Sequence, residues 1–387
     1  MTMKLKYLAF PLLFAAALAT GCQESAEYEP VVYMTDAQSV PSKSVTIDEL
    51  PASAAVSVSA SEKAAHDLEV TLELRPDLVE SYNLKYGKNY QPLPEGSYEF
   101  LNNKVVISAG FTTSSMADFT VTSMDDFAEG ATYCMPISIQ SVKGSIGILE
   151  PSRTVYIVFK TPVISKAILI GSGNKYKIPG FLDNTDLVFP QATLETRVYV
   201  TSFSNGCDNS SIMGIEGECS VRFGDVKIDK NVVQICHENY QPAATDRPCD
   251  VNKWYHVAAV WTGSSWDIYI DGQFAAGAPT QGESMNFGKN DGYGFGLGAL
   301  SQWQGSRPLN GYLAECRVWS RALSQTEIAN NMNYVDPASE GLVAYWRMNE
   351  WEPNTNGSGN IVPDLTGHGY DAVGGSNNPT MMDTRWL

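Results

Sequence analysis

Carboxylate pairs are the residues of this chain that could support bond-breaking chemistry. Retaining glycoside hydrolysis needs two carboxyl groups about 5–5.5 Å apart, one as the acid and one as the nucleophile. Glu216 and Glu218 come nearest to such a pair, but they lie in a glycine-rich turn beside Cys219. Glu315 is a third candidate. None of them forms a recognisable catalytic pattern, so we assign no catalytic residue.

Nucleophilic catalysis is not indicated either. The chain has four histidines, His66, His237, His256 and His368, and no Gly-x-Ser-x-Gly elbow that would place a serine beside one of them. His256 alternates with Ala258 and Val260 along one strand face, which predicts a structural histidine. The glycine-alternating run 292–298 is not followed by Lys-Ser/Thr, so it predicts a strand packed closely against other backbone, not a phosphate loop.

A calcium site is the metal chemistry that the sequence suggests. Asp364 and Asp371 lie in "PDLTGHGYDA", a tight turn with the hard oxygen ligands that Ca²⁺ prefers. We expect calcium as the cofactor at these two residues. The alternative is that each aspartate only bonds the backbone of its own turn.

Aromatic side chains in loops could cover the apolar faces of sugar rings, with polar neighbours that orient the hydroxyl groups. Asn239 and Gln302 are such neighbours. The alternative is that each ring packs on the rim of its domain. The predicted ligand-binding residues are Tyr240, Tyr293, Trp303, Arg307 and Trp351.

The cysteines divide into groups. Cys134 and Cys316 fit buried positions in strands, and no spacing typical of a zinc site is present. Four others lie in loop-rich sequence and allow three pairings. We prefer the two that close short loops, each of which would contribute about 3 kcal/mol. These are Cys207 with Cys219 and Cys236 with Cys249.

The N-terminus has the features of an export signal. Lys4 and Lys6 precede an apolar stretch, 7–19, that is too short to span a membrane. The following "LATGC" resembles a bacterial lipobox, which makes residues 1–21 the signal peptide and Cys22 the lipidated residue. The acidic residues in 22–43 resemble the tether that directs lipoproteins of the Bacteroidetes to the cell surface. We therefore expect an outer membrane lipoprotein exposed at the surface.

Composition excludes some functions and favours one fold class. The net charge is −17, and it becomes −19 once Lys4 and Lys6 are removed with the signal peptide, which argues against nucleic acid as a partner. With 43% hydrophobic and 11% aromatic residues the chain can bury large cores. Frequent glycine and tyrosine without long helical stretches predict an all-β protein.

Short alternating segments in 44–162, including 68–74, 117–121 and 154–159, predict an antiparallel sandwich. The stretch "SYNLKYGKNYQPLPEGSYEF", followed by "VVISAG" and "GATYCMPISI", resembles the N-terminal DUF1735 domain of Bacteroidetes surface lipoproteins. That resemblance implies an immunoglobulin-like sandwich that serves as a spacer, with a ligand or partner surface as the alternative. Its Asn83 and Tyr90 are expected in turns or at strand edges.

Residues 163–387 contain "WYHVAAVWTGSSWDIYID" and "LNGYLAECRVWSRALSQTEIANN". These two motifs resemble the laminin-G, pentraxin-related branch of the concanavalin A-like jelly rolls. The second motif predicts a strand followed by a short helix, with Ser324 and Glu327 in capping-box spacing. The Glu-x-Asp-x-(x)-Glu strand of the glucanase branch is absent.

We therefore predict a surface-anchored, non-catalytic carbohydrate-binding lipoprotein. Its expected partners are a glycan or polysaccharide, the outer membrane through the lipid anchor, and a polysaccharide-uptake complex. Two alternatives stay open. One is a glycoside hydrolase of unrecognised type, and the other is a protein-binding adhesin of the laminin-G type.

Overall fold

A computed structural model describes residues 29–204, 206–238, 240–280, 282, 284–300 and 307–387. The signal peptide with Cys22, and the predicted ligand contacts Asn239, Gln302 and Trp303, lie outside these residues. The described chain folds into two β-sandwiches with separate hydrophobic cores. The predictions of an all-β protein, an immunoglobulin-like first sandwich and a jelly-roll second sandwich are confirmed.

The first sandwich contains twelve strands among the described residues. Their sequences alternate between apolar and polar residues, which suits a strand with one buried face. In 68–74 the buried side chains are Leu68, Val70 and Leu72. The strands are β1 Val31–Met34, β2 Ser42–Thr46, β3 Ala52–Val56, β4 Val58–Ala60, β5 Leu68–Leu74, β6 Gln91–Pro92, β7 Tyr98–Phe100, β8 Lys104–Ile107, β9 Ala117–Val121, β10 Thr132–Lys143, β11 Gly147–Ile148 and β12 Thr154–Lys160.

One sheet of this sandwich has the order β2-β12-β10-β5-β8, and the smaller sheets β3-β9-β7 and β11-β1-β4 complete it. Val32 and Met34 of β1 are fully buried in its core. The predicted tether therefore ends before β1 and not at residue 43. The sequence did not reveal β1, because a four-residue strand pattern cannot be distinguished from a linker.

A helix interrupts the stretch for which turns and strand edges were expected. The α1 helix, Val79–Tyr86, ends at Gly87, whose φ of 60° suits a glycine cap. Asn83 lies within this helix, and its side chain bonds both the N–H and the carbonyl of Tyr90. The expectation of a turn at Asn83 was wrong because its amide secures the following loop from a helical position.

The second sandwich is built from two large sheets and one short helix, α2 Gln325–Asn330. Its strands are β13 Val163–Ile170, β14 Tyr176–Lys177, β15 Val188–Phe189, β16 Ala192–Val200, β17 Ser210–Ile215, β18 Cys219–Asp225, β19 Ile228–His237, β20 Tyr240–Ala244, β21 Trp254–Trp261, β22 Ser265–Ile270, β23 Gln273–Pro279, β24 Met285–Asn286, β25 Gly296–Leu297, β26 Gly311–Trp319, β27 Leu342–Trp346, β28 Glu352–Pro353, β29 Asn360–Val362, β30 Ala372–Gly374 and β31 Met381–Trp386.

The first large sheet has the order β23-β22-β21-β16-β26-β13-β31, with β27 also paired to β26. The second, the nine-stranded sheet, has the order β20-β19-β18-β17-β25-β14-β30-β29-β28. Their facing sides enclose the larger core, which includes Trp261, Trp266 and Trp346. The predicted capping box of α2 is present, with Ser324 Oγ accepting from the N–H of Glu327.

The two sandwiches contact each other through the outer side of the first large sheet. Arg347 Nη2 donates to Glu129 Oε1 over 2.5 Å, and Asn330 donates to the carbonyl of Gly87. Arg385 pairs with Asp48. Among the described residues, no helix is long and apolar enough to cross a membrane.

Candidate functional site

Strands β18 and β19 place polar side chains on the outer face of the nine-stranded sheet. Val221 and Phe223 of β18 point into the core, so the intervening Arg222 points outward. Gln234 lies directly across from Arg222 on β19, between two other core residues. Cross-strand partners share a face, which brings these two polar side chains together.

Arg222 is held rigidly although it lies outside the core. Its Nη2 donates to Gln234 Oε1 over 2.9 Å and to Asp225 Oδ2 over 2.7 Å. Arg222 is 5% exposed and Gln234 is 2% exposed. Charge-assisted hydrogen bonds of this length orient a guanidinium firmly, so this group forms a preorganised polar floor.

A second arginine lies above this floor. Arg307 Nη1 is 3.1 Å from both carboxylate oxygens of Glu216. Its Nε is buried and has no hydrogen-bond partner among the described residues. A buried N–H without an acceptor is costly, so Glu216 satisfies the guanidinium of Arg307 only in part.

Both arginines, with Asp225 and Glu216, line one cavity of about 340 Å³, which we call the polar cavity. Its volume falls in the range of about 300–1,000 Å³ that is usual for small-molecule sites. Burial raises the pKa of the Cys236 thiol on its wall. The cavity is lined by Cys207, Asp208, Asn209, Glu216, Arg222, Asp225, Val226, Cys236, Glu238, Gln241 and Arg307.

Of the predicted ligand-binding residues, Arg307 lines the polar cavity and the described aromatic ones do not. Tyr240 is 64% exposed and pairs with His237, on the edge strand beside the cavity. Tyr293 lies under Lys177, whose Nζ is 4.1 Å from the ring centre, and burial raises its pKa to about 12. Trp351 packs against the core, which is the rim role weighed as the alternative.

Sequence reasoning missed Arg222, Gln234 and Asp225. The sequence does contain an indication of this face. Arg222 and Gln234 each stand between apolar residues in a strand, where side chains alternate between the two faces of the sheet. A charged or amide side chain at such a position lies on the face opposite the core. The search for aromatic rings in loops passed over it.

The two predicted calcium residues accept hydrogen bonds from the surrounding chain. Asp364 Oδ1 accepts from the N–H of Tyr345, and Oδ2 accepts from the hydroxyl of Thr366. Asp371 Oδ1 accepts from the N–H of Asp364. In the described ranges no group of three His, Cys, Asp or Glu residues is placed to hold a metal, and calcium at these two residues stays a prediction. Asp371 bonds within its own turn, as the alternative expected, whereas Asp364 also bonds strand β27.

The preferred cysteine pairings are inconsistent with the strand registers. Cys219 begins β18, whereas the carbonyl of Cys207 is bonded by Lys230 near the other end of that strand. Cys249 bonds the carbonyl of Asn231, five residues from Cys236 along β19. Five strand residues span about 17 Å, but disulfide Cα atoms lie about 4.4–6.8 Å apart. Loop length alone predicted these pairs, whereas the strands hold the paired cysteines apart. Cys219, Cys236 and Cys249 are free thiols.

The remaining catalytic candidates have structural contacts. Glu218 Oε1 accepts from the N–H of Asn286 and its Oε2 pairs with Lys289 Nζ over 3.0 Å. Glu315 is fully buried on the outer side of the first large sheet and pairs with Arg317 over 2.8 Å. The two carboxylates therefore serve the fold.

His256 belongs to the same buried ionic group. Its Nε2 lies 3.3 Å from Glu195 Oε2, and Glu195 Oε1 is 3.1 Å from Arg317 Nη1. Burial raises the pKa of Glu195, but Arg317 and His256 outweigh burial and lower it to about 2. Burial also lowers the pKa of His256. We call Glu195, His256, Glu315, Arg317 and Arg347 together the buried ionic cluster.

Comparison with known proteins agrees with this architecture. Residues 28–146 match a family model of an N-terminal domain, the DUF1735-like domain. Residues 171–329 match the model of the concanavalin A-like lectin/glucanases superfamily. The described chain thus joins a DUF1735-like sandwich to a concanavalin A-like domain of the laminin-G type, as the motifs predicted.

The solved structures that are similar to this chain include the following two. A candidate carbohydrate-binding protein from Bacteroides ovatus is 24% identical with a TM-score of 0.61, and the match covers 91% of this chain and 97% of that one. A pentraxin from Limulus polyphemus is 10% identical with a TM-score of 0.35, over 56% of this chain and 95% of that one. No curated protein sequence matches the chain.

Proposed function

We propose that the protein is a non-catalytic glycan-binding lipoprotein, tethered at the cell surface through Cys22, whose polar cavity takes a sugar. The single observation that carries this proposal is the lining of the polar cavity, where the preorganised Arg222 lies together with Arg307. The concanavalin A-like fold and the Bacteroides ovatus neighbour, which is named for carbohydrate binding, support the same function.

The ligand class follows from the composition of the cavity wall. Four carboxylates, on Asp208, Glu216, Asp225 and Glu238, face two guanidinium groups, on Arg222 and Arg307. Carboxylates accept and guanidinium groups donate, so the wall can bond hydroxyl groups from both sides. The excess of negative charge disfavours uronic and sialic acids, and we propose an uncharged glycan.

The position of the cavity suits a ligand that approaches from outside. The first sandwich packs on the outer side of the first large sheet, where Arg347 meets Glu129. The polar cavity opens on the outer side of the nine-stranded sheet, the other layer of the second sandwich. The cavity therefore faces away from the tethered domain.

Binding to a panel of neutral plant, fungal and host glycans tests this proposal. We expect Arg307→Gln to weaken binding at least about tenfold, because it removes the charge-assisted contacts of the guanidinium. Arg247→Gln is the matched control, since Arg247 forms an exposed pair with Asp271 in the same domain. Equal affinities of the two variants, or selective binding of acidic glycans, would refute the proposed site.

Anchoring and the absence of catalysis need separate measurements. We expect labelled palmitate to enter the protein in cells and to be lost in Cys22→Ala. The purified protein should release no reducing ends from a polysaccharide that it binds. Product release that depends on Glu216 would instead establish a hydrolase.

A further inference from the structure

The first sandwich contains a tyrosine-lined cavity of about 440 Å³ that its expected role as a spacer does not require. It lies between helix α1 and two segments of the sandwich, 37–41 and 150–154. Three tyrosines form its wall: Tyr82 and Tyr86 from α1 and Tyr156 from β12. We call it the tyrosine cavity.

Tyr156 lies on the outer face of its sheet, where it meets the tyrosines of α1. In β12, Val155, Ile157 and Phe159 are core residues, so Tyr156 points away from the core and toward α1. The ring centres of Tyr82 and Tyr156 are 4.3 Å apart. Those of Tyr82 and Tyr86 are 4.5 Å apart. The three rings support one another and form a preorganised aromatic surface.

One ring of this surface remains accessible. Tyr82 is 6% exposed and anchors the group, whereas Tyr86 is 40% exposed at the cavity. Lys85 Nζ is 5.0 Å from the centre of the Tyr86 ring. An exposed ring with a fixed orientation loses little conformational entropy when a ligand packs on it.

The lining of the tyrosine cavity contains one positive and one negative side chain, and it offers both hydrogen-bond donors and acceptors. Lys85 offers donors, Glu150 offers acceptors, and Gln38 and Ser81 offer both. Glu150 is oriented by Arg153, whose Nη1 is 3.0 Å from its Oε1. One cation and one anion beside an aromatic surface suit a neutral polyol that has an apolar C–H face.

We propose that the tyrosine cavity is a second glycan-binding site, in which the ring of one neutral sugar unit stacks on Tyr86. Lys85, Gln38 and Glu150 then bond its hydroxyl groups. This site does not depend on the polar cavity of the second sandwich. It gives the DUF1735-like domain a binding role in addition to that of a spacer.

The test uses the full chain and calorimetric titration with cellohexaose, xylohexaose, mannohexaose, maltohexaose and arabinohexaose. Measurements in an Arg307→Gln background isolate the tyrosine cavity from the polar cavity. We expect Tyr86→Ala to weaken the remaining binding about tenfold or more and Tyr86→Phe to retain it, because the aromatic face makes the contact. Leu84→Ala is the matched control, since Leu84 is 82% exposed on the same helix and does not line the cavity.

Two further variants make the result independent of how Tyr86→Ala folds. Gln38→Ala and Lys85→Ala alter only exposed side chains of the lining and should also weaken binding, with unchanged melting temperatures. Binding that Tyr86, Gln38 and Lys85 variants all leave intact would overturn the proposal. So would the absence of binding by all five hexasaccharides in the Arg307→Gln background, an outcome that leaves the polar cavity unaffected.

Discussion

Arg347 connects the two sandwiches by bonding Glu129, with 2.5 Å between Nη2 and Oε1, while its Nε lies 3.1 Å from the buried Glu315. One arginine thus joins a surface carboxylate of the first sandwich to the buried ionic cluster of the second. The side chain of Glu129 is 50% exposed, whereas that of Glu315 is fully buried. The two halves of this contact should therefore contribute unequally to stability.

Removing either end of the Arg347 contact tests that inequality. Glu129→Gln should lower the free energy of unfolding by less than about 1 kcal/mol, because exposed ion pairs contribute little. Arg347→Met should cost about 1–3 kcal/mol, because a buried carboxylate loses one of its donors. Urea denaturation of both variants gives the comparison. Equal costs would mean that Glu315 does not need Arg347.

Arg317 should be the most sensitive position of the buried ionic cluster. Its guanidinium lies 3.1 Å from Glu195 and 2.8 Å from Glu315, and all three side chains are fully buried. Arg317→Met leaves two buried carboxylates with too few cations, so we expect a loss of about 3–5 kcal/mol in urea denaturation. Arg321→Met, which removes the partly exposed pair with Glu327 and a hydrogen bond to the carbonyl of Glu340, should cost less than about 1 kcal/mol. A small effect at Arg317 would contradict the burial of the cluster.

Stability should fall as the pH decreases below 6.5 because of two buried histidines. Burial lowers the pKa of His237 and of His256 from 6.5. The unfolded chain then binds more protons than the folded one below pH 6.5, so acidification favours unfolding until the folded-state pKa is reached. His237→Gln should flatten the dependence of the unfolding free energy between pH 7.5 and 5.0. His66→Gln, at an exposed position, is the control, and an unchanged slope in His237→Gln would refute the prediction.

The glycine run at 292–298 offers a test of close backbone packing. A Cβ at Gly296 would lie 2.1 Å from the carbonyl oxygen of Ala299, which is too close for any side chain. Gly296→Ala should therefore destabilise the fold by about 1–3 kcal/mol. Gly171→Ala, where no atom lies within 4 Å of the added carbon, should change stability by less than about 0.5 kcal/mol. The melting temperatures of the two variants show whether close packing explains the glycine at position 296.

Thiol labelling tests the correction of the disulfide prediction. Burial raises the pKa of Cys134 and Cys316 to about 12, which leaves these thiols unreactive in the folded protein. Iodoacetamide should modify Cys219 and Cys249 only in urea, without prior reduction. The partly exposed Cys236 should react faster than these in the native state. Labelling in urea that requires a reductant would show that these cysteines are paired.

The sequence predicted the strands most reliably where alternation was long. The strands β5 and β9 were predicted with the bounds that the structure has, because each buries every second residue of a clear run. The capping box before α2 was equally local, since Ser324 and Glu327 bond each other's backbone. Local signals of this kind need no knowledge of the tertiary fold.

The helix α1 and the polar cavity could not be predicted in the same way. Val79–Tyr86 has weak amphipathic character, and two buried residues, Val79 and Tyr82, hold it against its sheet. The polar cavity brings Glu216, Arg222 and Arg307 together from distant parts of the chain. Arg307 was predicted as a ligand-binding residue, but its partner Glu216 depends on strand pairing that no local pattern encodes.

The pairing of β13 with β31 places Val163 opposite Trp386, so the second sandwich starts and finishes on adjacent strands. A domain of this kind tolerates circular permutation when a short linker joins its two ends. New termini could then be opened in the exposed turn at 226–227 between β18 and β19, where Val226 forms part of the rim of the polar cavity. Such a permutant would present the cavity next to a fusion partner, and the engineered chain would be a modular glycan probe.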